Sequence, residues 1–248
     1  MTDNAIIIPT RLEATRLPNK PLKKINGKEM ILHVYDAAKK ANCGEVIVAT
    51  PNDQIHDLII SNQGICIKTK PDHKTGTDRI FEVFDKFLKR KPKIITNLQG
   101  DMPNIKPENI KTLTDYMTKN LCDIATLSSK FKDQAEINDI NNVKVLTNKS
   151  LQDNKFNEAI DFFRSGQIKK DKYIYHHIGI YAFTKEALIR YVSLERSELE
   201  LKRKIEQLRA LENRMKINVG YIDNYPLSVD TEKDLLNIKK IMEKNEKK

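Results

Sequence analysis

The chain has 248 residues, a formal net charge of +10 and 31% charged residues against 39% hydrophobic ones. That length suits one large α/β domain or two small ones with a core of their own. Its longest apolar runs, such as Ala5-Ile6-Ile7-Ile8, are a few residues long, whereas a membrane span needs roughly 20, and the start has no secretory pattern. The basic balance raises nucleic-acid binding. Its make-up argues against it: 34 of the 44 basic residues are Lys and 10 are Arg, spread from the N-terminal loop to Lys248, and aromatics are only 6%. Lysine often just solvates a surface, while arginine does most phosphate and base reading. Cys43, Cys66 and Cys122 are far apart and odd in number, which reads as buried thiols of a reducing cytoplasm.

In chain order, residues 5–9 read as a short buried strand and 10–28 as a polar loop with Pro18, Pro21 and Gly27. Met30, Ile31, Val34, Tyr35 and Ala38 recur at helical spacing. Strands follow at 45–50 and 65–68 around a helix at 52–62, then a helix at 77–89, a strand at 94–98 and a helix at 107–119. Strands alternating with helices predict βαβ units and a parallel sheet. The stretches 124–130, 142–147, 155–163 and 173–183 have few helices between them, which predicts antiparallel or mixed pairing. Helices at 184–193 and 197–213, a strand at 216–222, a last helix from Thr231 to Lys244 and a frayed Lys-rich tail complete the reading. The fold class is therefore α/β, one domain of mainly parallel sheet with a mixed insertion at about 125–185.

Ligands of such sheets bind at the carboxyl ends of strands. Two loops fit. After the first strand come Arg11, Arg16 and Lys20, three cations able to hold a polyphosphate. The loop is neither a Walker A nor a GxGxxG pattern, since no glycine precedes Gly27. After the fourth strand comes Gln99-Gly100-Asp101, whose aspartate can reach a metal or simply cap a turn. Asp230, in Val229-Asp230-Thr231, is either a second magnesium carboxylate or the cap of the last helix, a role open to Thr231 too. A histidine in a strand, as at His176-His177, is ordinarily a satisfied core residue, and Glu206 with Arg209 reads as an exposed i,i+3 ion pair.

Taken together and in order, these motifs resemble one family, the 3-deoxy-manno-octulosonate (Kdo) cytidylyltransferases. Ile8-Pro9-Thr10-Arg11 and Ala14-Thr15-Arg16-Leu17-Pro18-Asn19-Lys20-Pro21-Leu22 match the family's opening motif. Ile25 to Ile31, Asp72 to Arg79, Gln99 to Pro103, Phe162-Phe163-Arg164, His177 to Tyr181, Ile205 to Arg209 and Val229 to Leu235 match the rest. The resemblance implies a Rossmann-like nucleotidyltransferase fold and transfer of CMP from CTP to the anomeric hydroxyl of Kdo, with release of pyrophosphate, for lipopolysaccharide synthesis. It implies that Arg11, Arg16 and Lys20 hold the triphosphate and that Asp101 and Asp230 bind Mg²⁺. Thr10, Thr75 and Arg79 then face the cytidine, while Gln99, Arg164, His177, Tyr181, Glu206 and Gln207 line the acid-sugar pocket. It also implies a cytoplasmic homodimer built partly from the insertion, with neither nucleic acid nor membrane as partner.

Four positions depart from the family pattern. Met102 replaces a glutamate, Thr10 an alanine and Asn19 a glycine, and Ser165-Gly166-Gln167-Ile168 lacks the family's proline and is shortened. Alternative readings are a cytidylyltransferase for sialic acid or amino-Kdo, an inactive relative, and a basic nucleic-acid-binding protein.

Overall fold

The computed structural model describes residues 3–13, 15–120, 122–152, 156–165 and 173–246. Ala14 of the opening motif, Lys155 of the expected third insertion strand, Gly166-Gln167-Ile168 and the last two tail residues lie outside the described residues. The chain forms two compact units, residues 1–112 with 226–248, and 113–225.

The first unit begins with β1 (Asn4–Pro9), β2 (Lys24–Ile25), β3 (Lys28–Glu29), α1 (Met30–Ala41), β4 (Glu45–Thr50), α2 (Asp53–Ser61) and β5 (Ile65–Lys68). Next come α3 (Gly76–Glu82), β6 (Ile94–Leu98) and the start of α4 (Pro107–Lys119). Strands β5, β4, β1 and β6 lie side by side in that order, all parallel. Ile6, Ile7 and Ile8 are fully buried. A strand covered on both faces reads as a continuous apolar run, which is why β1 does not alternate. The chain steps from β1 outward to β4 and β5, then returns to the other side of β1 as β6. The order therefore reverses between β1 and β6, and ligand clefts open at such a switch point.

Two predicted segments of this unit are interrupted. The loop at 10–28 contains a 3-10 turn at Lys20–Leu22 and the β2–β3 hairpin. Asn26 and Gly27 both have positive φ, 48° and 82°, as the two-residue turn of a type I′ hairpin requires. Asn19 has φ 55°, left-handed backbone that asparagine adopts more readily than most residues other than glycine, so the family's glycine can be replaced here. The helix expected at 77–89 ends in a π-helical turn at Val83–Phe87 and an extended Leu88.

The second unit holds β7 (Ile124–Ser129), α5 (Gln134–Asn138), β8 (Lys144–Thr147), β9 (Phe156–Phe163) and β10 (Tyr173–Thr184). It continues with α6 (Lys185–Ser193), α7 (Glu198–Arg203), α8 (Leu208–Glu212) and β11 (Ile217–Tyr221). Its pairings close a cycle: β10 with β7, β7 with β11, β11 with β9, β9 with β8, and β8 back with β10. Only β7–β11 is parallel, so the mixed pairing expected here is present. The short helix α5 was not expected. The helix expected at 197–213 is two helices, because Lys204 takes left-handed backbone, φ 54°, and turns the chain.

The last helix, α9 (Glu232–Glu246), returns to the first unit. Its Leu235 and Ile238 pack with Leu17, Ile25, Met30 and Val229 in one buried cluster. Burying Leu17 stabilises by about 2 kcal/mol, and with Ile25 it anchors the largely polar loop in this cluster. That anchor delivers Arg16 and Lys20 to the start of α9.

Candidate active site

A cavity of about 390 Å³ opens at the switch point of the first unit, within the range of small-molecule sites. Thr10, Arg11, Arg16, Lys20, Thr75, Arg79, Gln99, Asp101 and Asp230 all line it. Gly100 lets the two loops meet: a Cβ there would stand 3.3 Å from the Thr10 Cβ and 3.1 Å from Ile31 Cδ1.

The centre of the site is the Lys20 ammonium. It donates to Asp101 Oδ2 at 2.8 Å and to Asp230 Oδ1 at 3.1 Å. Arg16 Nη2 stands 3.1 Å from the other oxygen of Asp230. Burial works against the charge of Lys20, but the two carboxylates outweigh it and raise its pKa. Asp230 keeps its side chain for this contact because its neighbour caps the helix. Thr231 Oγ1 accepts from the Asp234 N–H at 3.2 Å, and Asp234 Oδ2 accepts from the Thr231 N–H at 2.9 Å. The reciprocal pair is a capping box. The Val229 N–H donates to the Asp101 carbonyl at 2.9 Å, so the two aspartate loops are also joined through backbone.

Thr75 caps α3 in a second capping box with Asp78. Arg79 is buried and donates to Thr69 Oγ1, to the Lys70 carbonyl at 2.8 Å and to the Pro71 carbonyl at 3.3 Å. Burial first, and Arg11 second, push its pKa down. Two guanidinium groups with like charge at one end of a cavity favour an anion there. The motif Asp72 to Arg79 also brings His73 and Lys74 to the wall, residues given no role in the sequence reading. His73 Nε2 lies 2.6 Å from Glu82 Oε2. Burial would raise the Glu82 carboxyl, but His73, the Lys70 N–H and Lys86 outweigh it and hold the pKa at about 2. Met102, in place of the family glutamate, is 3% exposed.

Arg164, His177, Tyr181, Glu206 and Gln207 belong to the second unit. Between Ile178 and Tyr181 the pairing of β10 with β7 slips, a bulge of the kind that re-aims side chains. The His177 and Tyr181 rings are 5.4 Å apart, where four residues of regular strand would span about 13 Å. The Thr126 hydroxyl fills the bulge, donating toward the Ile178 and Ile180 carbonyls at 3.1 and 2.7 Å, with His177 Nε2 at 2.9 Å. Since the hydroxyl hydrogen goes to a carbonyl, Nε2–H donates to Thr126 Oγ1. Burial, with His176 and Arg164 nearby, depresses His177 to about 3, so the ring is neutral near pH 7. Burial and then Glu206 push Tyr181 well up, with Arg164 opposing. Tyr191 Oη donates to the Glu206 carbonyl at 2.9 Å.

The expected pairing of Glu206 with Arg209 is not what holds this segment. Arg209 is buried and bidentate on Glu200, at 2.7 and 2.8 Å. The break at Lys204 turns α8 back toward α7, so Arg209 points inward and Glu206 lies outside the helix.

A family model described as cytidylyltransferase matches residues 5–217. The chain is 44% identical over 238 residues to a 3-deoxy-manno-octulosonate cytidylyltransferase of Bartonella henselae, covering 96% of this chain and 97% of that one. This chain belongs to the 3-deoxy-manno-octulosonate cytidylyltransferase family. A relative of that name from Rhodopseudomonas palustris is 41% identical over 242 residues, 97% of this chain and 98% of its own. Among solved structures, CMP:2-keto-3-deoxy-manno-octonic acid synthetase complexed with CTP aligns with TM-score 0.88 and 33% identity, over 98% of this chain and 99% of its own. This member of the family is thus a nucleotidyltransferase with the α/β fold of that enzyme. Among the described residues no helix is long and apolar enough to cross a membrane.

Proposed function

We propose that this chain transfers CMP from CTP to the anomeric hydroxyl of 3-deoxy-manno-octulosonate, releasing pyrophosphate. The observation that carries the reading is the Lys20 ammonium seated on Asp101 and Asp230 in a cavity that Arg11 and Arg16 also line. Cations for a triphosphate and carboxylates for a metal thus share one site. The names of the relatives supply the sugar, and the CTP complex of the solved neighbour supplies the nucleotide.

Arg11, Arg16 and Lys20 pair with the phosphates and stabilise the charge that moves onto the leaving pyrophosphate. Thr10, Thr75 and Arg79 bound the cytidine side. Gln99 lines the cavity of the first unit, and Arg164, His177, Tyr181, Glu206 and Gln207 of the second unit bind the acid sugar. A guanidinium suits the substrate carboxylate, and Glu206 and Gln207 suit its hydroxyls. His177, neutral, acts by hydrogen bonding rather than by charge. In-line transfer of this kind rests on positioning and charge neutralisation, and no side chain is assigned as general base. The donor set fits Mg²⁺, which takes one or two carboxylates and fills its shell with phosphate and water oxygens. Asp101 and Asp230 already gather around one cationic nitrogen and would hold it. Bound there, magnesium supplies further neutralisation of the triphosphate. The reading also carries a homodimer acting in lipopolysaccharide precursor synthesis in the cytoplasm, and sedimentation of the purified chain tests the dimer.

The deciding assay follows pyrophosphate and CMP-sugar formation from CTP with Kdo, a sialic acid or amino-Kdo, with Mg²⁺ or with chelator. Turnover with Kdo, lost on chelation and lost in Asp101→Ala and Asp230→Ala, is expected. Product from another acid instead moves the substrate assignment. CTP binding without product from any acid refutes the reading.

A further inference from the structure

Strand β8 lies between β10, which carries His177, and β9, whose last residue precedes Arg164. Lys144 on it is paired in register with Phe163 of β9 and with His176 of β10, each one residue away from a member of the acid-sugar set. The Lys144 side chain is 2% exposed. Its ammonium donates to three main-chain carbonyls, Asp139 at 2.6 Å, Asn142 at 3.0 Å and Arg164 at 2.8 Å. An ammonium has three donors and no acceptor, so these contacts complete its hydrogen bonding. Burying a charge is costly unless every donor is met, and an apolar side chain of similar volume often serves stability as well. A lysine here therefore implies that the convergence of carbonyls itself matters. The Asp139 carboxylate takes hydrogen bonds from the Asn141 N–H and Nδ2 at 2.8 and 2.9 Å, so Lys144 is buried on backbone rather than in an ion pair.

The same turn receives the Arg164 side chain. Arg164 Nη1 donates to the Ile140 carbonyl at 3.3 Å and the Asn141 carbonyl at 2.7 Å. Lys144 thus holds the two ends of the 139–142 turn, and Arg164 grips its middle. Ile140 is 64% exposed, so the turn has no apolar plug there and depends on polar anchors. Lys144 also holds the main chain of Arg164, which fixes the guanidinium at both its root and its resting place.

We propose that Lys144 is a positioning residue of the acid-sugar site: by tying the 139–142 turn to the main chain of Arg164, it sets the guanidinium that meets the substrate carboxylate. The inference rests on the reading that Arg164 binds that carboxylate, and the test separates the two.

The experiment is a double-mutant cycle on the full chain, with KM for CTP and for Kdo measured in Lys144→Met, Arg164→Ala and the double variant. Lys144→Met is expected to raise KM for the acid sugar about tenfold and leave KM for CTP within about twofold. In the Arg164→Ala background it should add nothing further, because its effect runs through that side chain. A parent-like KM for the sugar, an equal rise in both KM values, or additive effects in the double variant overturn the role of Lys144 alone. A parent-like sugar KM in Arg164→Ala overturns the reading of Arg164 and this inference with it. Lys144→Gln, which keeps an amide's two donors, carries the same readings where the methionine variant does not fold.

Discussion

Replacing Arg209 by methionine tests the anchor beneath the Glu206–Gln207 segment. The Arg209 and Glu200 side chains are 4% and 1% exposed and share two short hydrogen bonds. The substitution keeps most of the volume but leaves a buried carboxylate with two remaining partners, the Ser197 N–H at 3.4 Å and Arg196 Nε at 2.8 Å, the latter on a side chain that is 44% exposed. Breaking one side of a buried pair costs about 3–5 kcal/mol, and the surviving partners place this case near 3. Burial opposes ionisation of Glu200, yet Arg209 and Arg196 outweigh it and hold its pKa below the ordinary 4.5. A carboxyl depressed in the folded state stabilises above its unfolded pKa, and this stabilisation is lost as pH falls through the folded one. Without Arg209 the folded pKa rises, so the variant has less to lose on acidification. Urea unfolding followed by circular dichroism should show a deficit of about 3 kcal/mol at pH 7 that narrows below pH 4.5. Adding Glu200→Leu should recover much of it, since the orphaned charge is gone. A deficit under about 1 kcal/mol, or one that does not change with pH, refutes the argument.

Lys20→Met should lower kcat/KM for CTP by about 100-fold or more, because a preorganised donor to the triphosphate is gone; steady-state kinetics at saturating acid sugar reads it, and a change below about fivefold counts against the role of Lys20. Thr231→Ala removes one half of the capping box at α9 and should cost about 1 kcal/mol, read as a melting temperature lower by about 2–4 °C. Gly220→Ala would set a Cβ 2.4 Å from Phe156 Cζ. That ring is stacked on Tyr116 at 3.6 Å and has little room to retreat, so a loss of about 1–3 kcal/mol in urea unfolding is expected.

Strand and helix positions in the first unit were legible because their signals are local. The apolar runs of β1, β4 and β6 and the helical spacing of α1 depend on neighbours a few residues away. The Asn26-Gly27 dipeptide is an equally local hairpin signal, set within the long polar loop. Residue-level reading could not separate Asp230 from Thr231 as the helix cap, nor tell an active-site Asp101 from a turn aspartate. The structure separates the first pair by giving the cap to Thr231 and the Lys20 contact to Asp230.

The basic balance met at the outset divides in the same way. The family resemblance carried by the order of motifs was enough to point to a nucleotidyltransferase and to the loops that bear its cations, since those patterns lie along the chain. Which cations converge was decided by tertiary structure: Lys20 meets carboxylates 81 and 210 residues away. The same holds for the bulge that folds His177 onto Tyr181, for the inward turn of Arg209, and for the three carbonyls around Lys144. Each is a contact between segments distant in sequence, whose geometry is set by packing, burial and the need to satisfy every buried polar group.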